Sequence, residues 1–201
     1  MNSKEMDKLI AHFDTYFEQN DCMVLHPAVT EGPHIDVLLY EPNEKYPYWK
    51  LVTMGASDIK MKENFSLGNR NEYVMFVDQS EDMKDQSVVQ WYYKSLLTVA
   101  LYPYYEQIGI SYGHSIEWEP EEGEEMMAAF LEFPQVIENP SVLRCKVGML
   151  KTVVCLQIIL LNREERDYLL KIGSPEFSNY LYPENGERGH FLCERKRSDK
   201  F

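Results

Sequence analysis

No apolar run in the sequence approaches the roughly 18 residues that a membrane-spanning helix needs, so a transmembrane anchor is not expected. There is no Cys-x-x-Cys pair, no internal repeat and no low-complexity tract. The cysteines, Cys22, Cys145, Cys155 and Cys193, are widely spaced, and the middle two lie in apolar segments. That usage reads as reduced, mostly buried thiols rather than disulfides or a metal centre. Basic residues are scarce: Lys and Arg total 20 against 33 Asp and Glu, a formal net charge of −13. A field of that sign repels phosphate backbones and anionic headgroups, which argues against nucleic-acid and membrane-surface binding. The same field attracts a basic protein partner and speeds its encounter. The first residues, Met1-Asn-Ser-Lys-Glu-Met-Asp, are charged and lead into an amphipathic pattern instead of an apolar signal core, so a cytoplasmic protein is expected.

Against those absences stand a hydrophobic fraction of 44% and an aromatic fraction of 13%, both within the globular range. A chain of 201 residues is most simply one domain, and folding at that length buries roughly 70% of the surface the unfolded chain exposes. Met6, Leu9, Ile10, Phe13 and Phe17 recur at helical spacing behind Asn2 and Ser3, predicting a capped amphipathic helix over 4–19 that lies on a sheet. Strands are predicted over 21–26, 34–40, 49–54 and 72–77, the later ones as neighbours in one antiparallel run. From about Lys84 the period changes. Val88, Trp91, Tyr92, Leu96 and Val99 share one helical face, and Pro103 is expected to end that helix near Leu101.

Residues 112–118 read as extended, 120–125 as a charged turn and 127–133 as a returning strand closed by Pro134. The stretch 151–161 is the most hydrophobic and rich in β-branched residues, which predicts a central strand covered on both faces. Asn162-Arg-Glu-Glu165 then offers a capping box, and Gly173 stops the helix that follows. The tail 188–201 shows no periodicity and is expected to fray. These elements predict a single α+β domain over 1–201, with one mixed, mainly antiparallel sheet flanked by helices.

Candidate chemistry is thin. Gly55-Ala-Ser57-Asp58-Ile59 invites comparison with a Gly-x-Ser-x-Gly nucleophile elbow, but Ile59 replaces the second glycine and no periodic helix follows. A glycine turn, with Ser57 and Asp58 bonding locally to the backbone, is the simpler expectation. A hydrolase using Ser57 with Asp58 and His114 is the alternative. His34-Ile-Asp36 sets two metal-ligand types on one strand face, yet no third ligand stands at a usable spacing, so neither a metal nor any other cofactor is expected. Glu117, Glu119, Glu121, Glu122, Glu124 and Glu125 form the densest charge in the chain. They read first as a solvated loop and second as a contact for a basic partner.

The blocks His34-Ile-Asp36, then Trp49-Lys-Leu-Val-Thr-Met-Gly55-Ala-Ser57-Asp58, then Glu72-Tyr-Val-Met-Phe76 resemble the suppressor-of-fused domain. That family carries an apolar strand running into a Gly-x-Ser-Asp turn, then a short Glu-led strand. Tyr112-Gly-His-Ser-Ile116 and the run from Val154 through Asn162-Arg-Glu-Glu165 resemble later blocks, so the resemblance covers about residues 20–175. Long eukaryotic members have a second domain, which this sequence does not show. The resemblance implies a binding protein without established catalysis: eukaryotic members hold a transcription factor through strand pairing, and small bacterial ones are associated with toxin loci as immunity proteins. On that footing Gly55, Ser57 and Asp58 are expected to form a structural motif. Tyr112, His114, Glu117, Glu119, Glu121 and Glu122 are expected to meet a protein partner, such as a basic toxin domain. A scaffold that works only as a homo-oligomer is the third reading.

Overall fold

The computed structural model describes residues 1–27, 32–183 and 189–197. Helix α1, Ser3–Phe17, starts at Asn2, whose side chain accepts the Glu5 N–H while the Glu5 carboxylate accepts the Asn2 N–H. This reciprocal box satisfies two donors that a helix start otherwise leaves open. Its buried stripe is Leu9, Phe13 and Phe17, four residues apart, so one face meets the sheet.

Strands β1 (Met23–Leu25), β2 (Asp36–Tyr40), β3 (Tyr48–Met54) and β4 (Asn71–Asp78) pair in succession, all antiparallel, as the hydrophobic pattern predicts. Helix α2, Gln86–Tyr105, is capped by Asp85, which accepts the Ser87 N–H. It runs past the expected stop at Leu101. Pro103 lies in its last turn with its ring buried; the ring removes one N–H, the one that would reach the Val99 carbonyl, and the helix absorbs that loss.

After α2 come β5 (Ser115–Glu117), β6 (Ala128–Glu132), β7 (Arg144–Lys146) and β8 (Thr152–Leu161). The sheet order is β1-β2-β3-β4-β8-β6-β5. Strand β8 lies parallel to β4 and antiparallel to β6 and β7, so it is central and buried along almost its whole length. Its alternate residues serve different layers: Val154, Leu156, Ile158 and Leu160 join the core under α2, while Val153 and Cys155 join the core under α1. Ile159 and Leu161 pack instead with the last two helices, α3 (Arg163–Ile172) and α4 (Ser174–Leu181). Each such fully buried side chain contributes roughly 1.5–3 kcal/mol.

The capping box at α3 forms as the sequence predicts, with Asn162 and Glu165 each accepting the other's backbone N–H. Gly173 ends α3 at φ 86° and at once starts α4, an element the sequence reading does not contain; β7 is another. The tail also differs from expectation. Residue 188 and residues 198–201 lie outside the described residues, but 189–197 dock on the sheet. The Cys193 N–H donates to the Phe76 carbonyl at 2.7 Å, and the Asp78 N–H donates to the Cys193 carbonyl at 3.1 Å. Arg195 pairs with Glu81, and Arg197 with the buried Glu165. A segment without periodicity is here fixed by backbone pairing and ion pairs, which hydrophobic patterning does not reveal. All four cysteines are free, three buried and Cys22 half-buried. Among the described residues no helix is long and apolar enough to cross a membrane.

Candidate functional site

The Gly55 turn is held by a residue that local reasoning does not name. Strand β3 delivers the chain to Gly55, whose φ of +121° favours glycine, and a Cβ there would lie 2.6 Å from the His34 carbonyl oxygen. A short 3-10 turn, Ala56–Asp58, follows. Glu72, fully buried on β4, accepts the N–H groups of Gly55, Ala56 and Ser57 at 3.0, 3.2 and 3.0 Å and the Thr53 hydroxyl at 2.6 Å. Burial raises the Glu72 pKa, while the hydrogen bonds from Thr53, Ser57 and Gly55 pull it the other way. The expected local bonding by Ser57 and Asp58 is therefore replaced by a carboxylate from the neighbouring strand. The Arg70 guanidinium donates to the Ser57 carbonyl at 2.6 Å, and Asp58 points outward to pair with Lys151 at 2.8 Å.

This arrangement leaves the hydrolase alternative without its parts. Ser57 is sealed at 0% exposure and Asp58 is engaged elsewhere. His114 is exposed; its Nδ1 accepts the Ser111 N–H at 2.9 Å and its ring meets the edge of Phe65. No hydrogen bond among the described residues joins His114 to Ser57.

The acidic cluster falls on the rim of the sheet. Strand β5 pairs with β6 on one side and is the last strand of the order, so its other edge is open among the described residues. Between that rim and α2 lies a cleft of about 970 Å³. Its apolar wall includes Trp91, Leu101, Tyr102 and Tyr105 from α2 and Ile116 and Trp118 from the rim. Glu106, Glu117, Glu119, Glu121 and Glu124 line the same cleft, with Lys94 the one lysine or arginine in the lining. Two of these carboxylates already have partners: Glu117 pairs with Arg166 at 2.5 Å, and Glu124 accepts the Trp91 indole N–H at 2.6 Å. Glu119, Glu121 and Glu122 are exposed. Tyr112 is half-buried and stacks on Phe133 at 4.1 Å. The structure thus brings Glu117, Glu119 and Glu121 to one cleft, places Tyr112 and His114 at the entry to β5, and adds aromatic walls from α2. The sequence pattern sets Trp91 on the apolar face of α2 and gives Tyr102 and Tyr105 no role, so this wall emerges only when α2 lies beside the rim.

At the opposite edge, the fold supplies the third metal ligand that spacing alone does not reveal. His26 Nδ1 and His34 Nε2 both lie against Asp36 Oδ1, at 2.8 and 2.9 Å. Neither the β2 pattern nor the ten-residue separation of His26 from Asp36 announces this group; only the strand register does.

The family model described as suppressor of fused protein (SUFU) matches residues 31–190. Among solved structures, the chain is similar to one from the Sufu-Fu complex, with a TM-score of 0.68 and 14% identity, covering 96% of this chain and 91% of that one. It is similar to a SUFU homolog from Neisseria gonorrhoeae FA 1090, with a TM-score of 0.62, 13% identity and 90% coverage of each chain. It is also similar to Drosophila Suppressor of Fused, with a TM-score of 0.68 and 16% identity, covering 97% of this chain but 51% of that longer one. At such identities the structural likeness speaks for the fold. A search of the curated proteins returned no match.

Proposed function

The chain belongs to the suppressor of fused family, and on that premise we propose that it is a non-enzymatic, cytoplasmic inhibitory module, an immunity protein that neutralises a basic toxin domain by docking onto it. The observation that carries this reading is the cleft beside β5, where an open strand edge, aromatic walls and an excess of carboxylates occur together. An extended basic segment of the partner fits all three. Its backbone adds to the β5 edge, its apolar side chains seat against Trp118, Tyr102 and Tyr105, and its Lys or Arg side chains meet Glu119, Glu121 and Glu122. Tyr112 and His114 flank the entry to the edge, and Glu117 stays in reach while paired with Arg166.

Charge adds a kinetic argument. The net charge of −13 raises the encounter rate with a cationic partner, and the gain falls as salt rises. Further support comes from the solved relative recorded as a complex with Fu. The sealed Ser57 weighs against turnover as the working principle.

The test is co-expression with the product of the adjacent gene in the native host, followed by capture of the complex. Rescue of growth together with a stoichiometric complex is the expected result. Absence of both rescue and complex would sink the proposal.

A further inference from the structure

The β1–β2 hairpin brings together two imidazoles and a carboxylate that play no part in the cleft. Strand β1 pairs with β2 through Leu25 and Val37, and continuing that register by one residue sets His26 opposite Asp36. His34 stands two residues before Asp36, on the same side of the extended chain. Three ligands of two types therefore converge without any special turn. Their donor atoms all lie within 4.8 Å of one another, and the two nitrogens approach the same carboxylate oxygen at 2.8 and 2.9 Å.

We propose that His26 Nδ1, His34 Nε2 and Asp36 form a three-ligand site for a divalent first-row transition ion of the zinc class. The donor set selects the ion: two imidazoles and one carboxylate suit zinc and its neighbours, whereas calcium and magnesium take oxygen ligands. Tetrahedral zinc sets its donors roughly 3.3 Å apart, so the site closes by rotation of two rings. Both rings are free to make that move, being 66% and 58% exposed, while Asp36 is fixed at 4% exposure on the strand. Each ring now directs a nitrogen at the carboxylate; on coordination any proton on that nitrogen moves to the other ring nitrogen by tautomerisation or, from a doubly protonated ring, to solvent, and the lone pair turns to the ion.

Asp36 is well placed as the anchor of the set. Its carboxylate is held on β2 at 4% exposure while both imidazoles stand largely in solvent, so it is the fixed member on which the rings close. No fourth side chain among the described residues joins the three, which leaves a coordination position for water or for a group from another molecule. The ion would also tie the end of β1 to the start of β2, and binding to the folded state alone raises apparent stability.

Tag-free protein, cleared of metal by a chelator, tests the site by calorimetry with zinc chloride and by the visible spectrum with cobalt chloride. One ion per chain, a cobalt spectrum of tetrahedral nitrogen and oxygen ligation, and a rise in Tm with zinc are expected. The double variant His26→Ala with His34→Ala removes only exposed rings; it should keep the metal-free Tm and weaken zinc binding by more than about tenfold. Cys22→Ser removes the one half-buried thiol and should leave binding unchanged. Zinc binding by the folded double variant equal to wild type would overturn the site, and so would wild-type protein that binds no zinc, leaving the three groups as a hydrogen-bonded anchor only.

Discussion

In the Gly55 turn one carboxylate, Glu72, meets three backbone N–H groups and a hydroxyl inside the core, whereas five carboxylates line the cleft between α2 and the β5 rim, where Glu117 and Glu124 have partners and Glu106, Glu119 and Glu121 are exposed. The chemistry of the side chains is the same and their duties are opposite. A carboxylate without water has to be satisfied by protein donors, so Glu72 organises the backbone around it and is not free for a partner. A carboxylate in water keeps its charge at little cost and stays available. The lesson is that the conspicuous Gly-x-Ser-Asp sequence marks the framework, while the function proposed for this chain rests on the less distinctive acidic rim.

Substitutions should separate the two regions, and the largest effect belongs to the interior. Glu72→Ala strands buried donors and opens a cavity, and should cost about 3–5 kcal/mol in urea denaturation. A loss under about 1 kcal/mol would show that water or other groups can replace the carboxylate. Gly55→Ala follows, at about 2–4 kcal/mol, because the new Cβ meets the His34 carbonyl and the positive φ strains any other residue. Neither substitution touches the rim, so any folded fraction should associate with the partner at the wild-type rate.

Cations show the same contrast. Lys94 lines the open cleft, whereas Lys50 on β3 is fully buried with no hydrogen-bond partner for its ammonium among the described residues, 5.9 Å from the Phe17 ring centroid. Burial lowers its pKa from 10.5 to about 8. Between those values the unfolded chain binds more protons than the folded one, so stability from this group rises with pH through that window. Lys50→Met should stabilise the protein by about 1–3 kcal/mol at neutral pH. The gain over wild type should shrink as pH climbs from about 8 to 10.5. A gain that stays constant across that range would contradict a buried, titrating Lys50.

The smallest effect on stability belongs to the rim. Glu119→Gln, Glu121→Gln and Glu122→Gln together should shift stability by less than about 0.5 kcal/mol, since all three are exposed. They should nonetheless slow association with the proposed basic partner and flatten its dependence on salt, measured by stopped flow. Trp118→Ala, in the cleft wall, should act on dissociation instead. Equal association rates for the triple variant and wild type would detach the charge from the docking reaction.

Much of the fold was legible in the sequence because its strands and helices bury opposite faces at clear periods. Leu9, Phe13 and Phe17 announce α1, and the β-branched run of β8 announces a central strand. What stayed hidden depends on contacts distant in sequence. Glu72 reaches the Gly55 turn from the next strand, Cys193 pairs with β4 from the tail, and His26 meets Asp36 through hairpin register. The candidate cleft divides in the same way. Its carboxylates are visible as a charge run, but its aromatic wall exists only once α2 is laid beside β5.

The most direct test is hydrogen exchange on the chain alone and in the presence of the partner proposed above, with the product of the adjacent gene as the candidate. The account predicts new protection confined to the end of α2, residues 101–106, and to the rim over 115–121. Protection along β1 with an unchanged β5 rim would contradict it.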